Sequence, residues 1–223
     1  MRKWGILISA CYALILLVLI VPAAIFLAGD DYPSWQAFFR TVHNAYVEWI
    51  LWLLIAAVLA SQALLLFVSI DTSQKRLKPR AHILVSCVAV AVLTALLTSG
   101  IIWSLGFVIR GDNFWKHFFV KETNLILFWG ALWVLWGIVF YLYFRNSSES
   151  VTRLMSWLLK GSILELLIVV PCHVIVRRRN DCSAPVATSF GIATGLAIML
   201  LSFGPSVLFL YKKRLDSYSS RPL

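Results

Sequence analysis

Residues 83–109 read ILVSCVAVAVLTALLTSGIIWSLGFVI, with no acidic or basic side chain anywhere in the run. A helix of roughly 20 apolar residues crosses a hydrocarbon core about 30 Å thick, so this run is long enough to span a membrane. Working outward from it, five more predominantly apolar runs follow the same pattern, at 4–28, 46–70, 123–144, 154–176 and 185–211. The composition agrees, with 61% hydrophobic and 13% charged residues in 223, too apolar for a soluble domain. The expected fold is all-α: a polytopic integral membrane bundle of about six transmembrane helices, with 1–223 forming a single transmembrane helical domain. The first run is far longer than the roughly 7–15 residues of a secretory signal core and is read as a retained helix.

Lysine and arginine near the helix ends set the expected orientation, because cytoplasmic loops keep the excess. With the N-terminus inside, Arg2, Lys3, the cluster from Lys75 to Arg80, Arg145, Arg153, the Lys212 to Arg214 tail and Arg221 all fall on the inner side. Both termini are then cytoplasmic, in a plasma or bacterial inner membrane. The net charge of +10 fits attraction to anionic lipid headgroups and calls for no nucleic acid. One outer segment breaks the rule, the triplet Arg177, Arg178 and Arg179. An alternative resolves the conflict by breaking the last run at Gly191, Gly195, Gly204 and Pro205 into a re-entrant hairpin; six full spans are the preferred reading.

That triplet lies in the stretch Pro171-Cys172-His173-Val174-Ile175-Val176-Arg177-Arg178-Arg179-Asn180-Asp181-Cys182-Ser183-Ala184-Pro185, the most polar turn of the chain. Ser183 before Ala184-Pro185 has the pattern of a helix N-cap. Three guanidinium groups beside a helix N-terminus make an anion site suited to a phosphate, a carboxylate, a lipid headgroup or a haem propionate. The alternative is that they snorkel to lipid phosphates and only anchor the helix. Cys172, His173 and Cys182, joined by His43 and His117 from other outer loops, are candidate metal or haem-iron ligands, although no Cys-x-x-Cys, Cys-x-x-Cys-His or His-Glu-x-x-His spacing supports them. A Cys172–Cys182 disulfide and plain packed thiols compete with that reading.

Glu165 falls near the middle of the fifth run, where a carboxyl must be neutral, paired or wetted. A hydrogen bond to Gln62, also at mid-membrane depth, is one way to satisfy it; a proton or cation path is another. Ala187, Gly191 and Gly195 recur every fourth residue, a stripe of small side chains through which a helix, including that of a membrane partner, can approach closely. Trp129, Trp133, Trp136, Phe140 and Tyr143 form an aromatic face in the fourth run, read as packing or lipid contact ahead of a cofactor platform. Trp35, Phe38, Phe39 and Val42 have the spacing of an interfacial amphipathic helix.

No nucleophile elbow or paired-carboxylate site is present, which argues against an enzyme. The expected function is a non-catalytic multi-pass membrane protein, an accessory, assembly or binding subunit with an outer anion site. The alternatives are a small proton- or ion-coupled transporter using Glu165, and a membrane redox or metal protein using Cys172 and His173. The residues name no cofactor; the expected partners are membrane lipids and their anionic headgroups.

Overall fold

Pro22 shapes the first helix, because it has no N–H to give to the carbonyls behind it. The chain answers with a wider turn: α1 (Arg2–Ile15) runs into a π-helical segment at Leu16–Ile20 and continues as α2 (Val21–Ala28). Within the widened turn the Val21 N–H reaches back five residues to the Leu16 carbonyl. The same reach from Pro22 would end on Leu17 but supplies no proton. The Tyr46 hydroxyl donates to the Leu17 carbonyl instead, tying the following surface helix to the first span.

The computed structural model describes residues 2–29, 32–72, 79–111, 114, 122–144, 150–179 and 184–219, excluding the side chains at 2–4, 68–72, 79–83, 122–123, 150–152 and 203–219. Among the described residues every regular element is a helix. After α2 come α3 (Trp35–Val47), α4 (Trp49–Thr72), α5 (Pro79–Arg110), α6 (Glu122–Phe144), α7 (Ser150–Arg178) and α8 (Ala184–Ser219). Six helical stretches, Gly5–Ala28, Trp49–Phe67, Leu84–Arg110, Asn124–Phe144, Arg153–Arg178 and Ala184–Ser202, are long and apolar enough to cross a membrane. The chain is an all-α integral membrane bundle.

The re-entrant alternative for the last run is not what forms: α8 is one helix from Ala184 to Ser219, straight through the positions of Gly191, Gly195, Gly204 and Pro205. A helix keeps its backbone hydrogen bonds internal, which an open hairpin in lipid could not do. The amphipathic pattern at Trp35 is α3, capped by Ser34, whose hydroxyl accepts from the Ala37 N–H at 3.2 Å. Its Phe38 turns inward onto Phe26 and Tyr32, at ring separations of 6.0 and 5.3 Å, while Trp35 and Phe39 are exposed.

α5 is the hub and packs against α4, α6, α7 and α8. In its apolar window 61% of residues are buried inside the chain, as in α8, whereas α6 buries 6% and faces outward. Lipid tails are as apolar as leucine, so these helices associate through close packing of small residues. The side of α5 turned to its neighbours accordingly carries Ala89, Ala91, Ala95, Ser99 and Gly100. The aromatic face of α6 is divided by this arrangement. Trp129 stacks with Trp103 of α5 and Phe190 of α8 at 5.6 and 6.2 Å and Phe140 is buried, whereas Trp133 is exposed and Tyr143 is 71% exposed.

Candidate functional site

Close to the midpoint of the Arg153–Arg178 span, Glu165 is completely buried, at 0% exposure. Its carboxyl lies where α5, α7 and α8 cross, in a niche that has room because two positions facing it, Gly100 and Gly195, are glycine. A Cβ on Gly100 of α5 would collide with Glu165 Oε1, and one on Gly195 of α8 would lie 3.0 Å from Oε2. Gly100 and Gly191 bring the backbones of α5 and α8 together, since a Cβ on Gly100 would sit 3.0 Å from the Gly191 Cα. Thr194 of α8 donates its hydroxyl to Glu165 Oε1 at 3.2 Å, and Oε2 has no hydrogen-bond partner among the described residues.

The Thr194 hydroxyl has three acceptors in reach: Glu165 Oε1 and the Phe190 and Gly191 carbonyls, the latter two both at 3.0 Å. A hydroxyl carries one proton and two lone pairs. When Thr194 gives its proton to a backbone carbonyl, its oxygen is left to accept one from the carboxylic acid form of Glu165. The niche therefore has a partner for Glu165 with its proton and without it.

A second polar pair lies farther along the same interface. His173 Nδ1 is 2.7 Å from Thr188 Oγ1, both side chains are buried, and Thr188 is also within reach of the Ala184 and Pro185 carbonyls. Glu165, Val169 and His173 follow at four-residue spacing and form one ridge of α7. Antiparallel α8 meets that ridge with Thr194, Gly191 and Thr188 in turn, as the two threonine bonds and the Val169 contact show. The middle contact is apolar and tight: a Cβ on Gly191 would come within 2.9 Å of Val169 Cγ1.

Two expectations are corrected here. Gln62 is not the partner of Glu165; its Nε2 donates to the Tyr12 hydroxyl at 3.1 Å, and Tyr12 in turn donates to the Ala197 carbonyl at 2.8 Å. The first helix intervenes, so the Gln62 amide nitrogen is engaged there by Tyr12. Nor is the Ala187, Gly191 and Gly195 stripe open to a membrane partner, because all three are buried against other helices of the same chain.

The arginine turn has an internal role. Arg177 donates to the Gly29 carbonyl, at the end of α2, and Arg179 donates to the Val108 carbonyl in the last turn of α5 at 2.6 Å. The last carbonyls of a helix lack intrahelical donors and carry the negative end of its dipole. Two guanidiniums at the end of α7 and just beyond it thus bind the termini of two neighbouring helices, which is a structural reason for cations at this end of the bundle. Arg178 is exposed, and Ser183 lies outside the described residues.

Among the described residues the candidate metal ligands do not assemble. Cys172 is a buried free thiol, the His173 ring is engaged by Thr188, and His43 is exposed on α3. No group of three His, Cys, Asp or Glu side chains able to hold a metal forms among the described residues. Cys182 and His117 lie outside them. Cys172 and His173 are neighbours on α7, and His43 is on α3.

Sequence reasoning identified Glu165 and Gly191 but missed Gly100, Thr194, Thr188 and Val169. Ser99-Gly100 inside an otherwise apolar span was the available signal for Gly100. Comparison with known proteins adds no relative: no family model, curated protein or solved structure matches this chain.

Proposed function

We propose that this chain is a proton-handling integral membrane protein, a small proton-coupled transporter whose working group is Glu165. The observation that carries the reading is the orphaned Oε2 in a fully buried, glycine-lined niche. A charged group at mid-membrane costs at least about 3 kcal/mol on insertion scales, so the niche as formed suits the neutral acid. Releasing the proton leaves a carboxylate with one neutral hydroxyl beside it, and α5, α7 and α8 must part or admit water to stabilise it. Protonation is thereby coupled to the packing of the bundle's centre. The lysine and arginine bias supports an orientation with both termini cytoplasmic and the arginine turn outside, in a plasma or bacterial inner membrane.

The test is reconstitution into liposomes enclosing a pH-sensitive dye, with a pH step applied outside. Wild type passes protons faster than empty vesicles, and Glu165→Gln, which keeps size and hydrogen bonding, unfolds at the same temperature and loses that flux. Flux in Glu165→Gln equal to wild type, or none in wild type, refutes the reading.

A second reading is a non-catalytic accessory or assembly subunit holding an anionic group at the arginine turn. It draws on Arg178, exposed in the last turn of α7 between two arginines committed to helix ends. Mass spectrometry of material retained in mild detergent tests it. Loss of a specific lipid or protein in Arg178→Lys supports the reading, and an unchanged profile removes it.

A further inference from the structure

We infer that His173 and Thr188 form the outer proton station serving Glu165, and that Val169 packed on Gly191 is the dry seal between them. The inference rests on the proton-handling reading of Glu165 and assigns the route by which that site is reached. Along one ridge of α7 the order is acid, valine, imidazole, and the facing positions of α8 are hydroxyl, glycine, hydroxyl. Four residues of helix rise about 6 Å, so each station is about one turn from the seal and about two turns from the other. That separation is too long for direct transfer and short enough for a few waters once the seal parts.

The chemistry of the outer pair suits a relay. Imidazole accepts at one ring nitrogen while donating at the other, so it can take a proton on one side and pass one on from the other. Thr188 serves either tautomer at Nδ1, because its own proton can go to the Ala184 or Pro185 carbonyl or to the ring. Among the described residues the charged and titratable neighbours on α7 are Arg177 and Cys172, and α8 presents the neutral Thr188. Inward transfer breaks an N–H bond of the imidazolium and forms an O–H bond on the Glu165 carboxylate. A water chain carries the proton across the parted seal, and neutral imidazole and neutral carboxylic acid remain. Both charges vanish in that step, which favours the seal closing again.

Why a seal at this position follows from the side chains. Val169 is itself completely buried, and Gly191 lets it lie against the α8 backbone close to Gly100 of α5. No polar side chain of the α7 ridge lies between the two stations. On the opposite side of Glu165, Leu158 is also buried and belongs to the main apolar core.

The experiment is hydrogen–deuterium exchange of the protonated Glu165 carboxyl, read from its infrared C=O band in the full-length protein in lipid. The band is identified by its loss in Glu165→Gln. Val169→Ala, which thins the seal, and Val169→Thr, which keeps its shape and adds a hydroxyl, each speed exchange about tenfold. His173→Gln reverses that acceleration in the Val169→Thr background, and Leu158→Val leaves the wild-type rate unchanged. Equal exchange rates in wild type and both Val169 variants overturn the seal. Acceleration that survives His173→Gln, or that Leu158→Val reproduces, overturns the outer route. Absence of any band that depends on Glu165 overturns the proton reading itself and this inference with it.

Discussion

Adding one methyl group at Gly100 tests whether the three-helix crossing is as close as described. The new Cβ would collide with Glu165 Oε1, and it would lie 3.0 Å from the Gly191 Cα and 3.3 Å from Glu165 Cδ. The carboxyl can swing away from such a methyl at the expense of its Thr194 bond; the α8 backbone cannot. Over-packing a filled interior costs about 1–3 kcal/mol, against which alanine regains up to about 1 kcal/mol of helix propensity. Gly100→Ala should therefore destabilise the protein by about 1–2 kcal/mol. In a Glu165→Ala background the side-chain clash is gone and only the backbone clash remains, so the double variant should be more stable than the sum of the singles by about 1 kcal/mol. Reversible denaturant unfolding in mixed micelles, followed by tryptophan fluorescence, measures both quantities. Gly130→Ala is the control, because its Cβ would meet nothing within 4 Å. If Gly100→Ala unfolds at the same midpoint as wild type, or the two losses simply add, the niche is not built on this crossing.

Arg177→Lys and Arg179→Lys should each lower stability by about 1–2 kcal/mol through loss of a charge-assisted bond to a helix-end carbonyl, while Arg178→Lys should be neutral; thermal unfolding in detergent ranks the three. Burial pushes the Tyr46 phenol up from its ordinary value. The unfolded chain therefore ionises first, and the stability tied to this group is intact below about pH 10 and declines as pH rises above it. Tyr46→Phe should lower stability at neutral pH and flatten that alkaline decline, as unfolding curves at increasing pH will show. For topology, Arg178→Cys with the native cysteines replaced should react with an impermeant thiol reagent added outside intact cells, and labelling only after permeabilisation would invert the orientation.

Several of these outcomes depend on features that no reading of the chain could supply. The apolar runs were decisive for fold class, because in lipid every backbone polar group must be satisfied internally and length with hydropathy then leaves a helix as the answer. Glu165 stood out for a related reason: a carboxyl inside such a run is rare and costly wherever its helix packs. The spacing at Trp35 was equally legible, since amphipathicity operates within a turn or two of one helix.

Partnership between helices was decided by the tertiary structure alone. Which way each helix turns about its axis follows from the fit of small side chains against backbones elsewhere, and that fit is a property of pairs and triples of helices. The composition of the arginine turn suggested a ligand site, yet the termini of α2 and α5 that occupy Arg177 and Arg179 lie far away in the chain. Gln62 had the right depth for Glu165 but faces Tyr12. The Gly191 stripe was visible as a close-packing face, whereas its occupant was not. Only the assembled α5, α7 and α8 show that Gly100 and Gly195 make room for one buried carboxyl, because a cavity is the space between helices and no single stretch of sequence contains it.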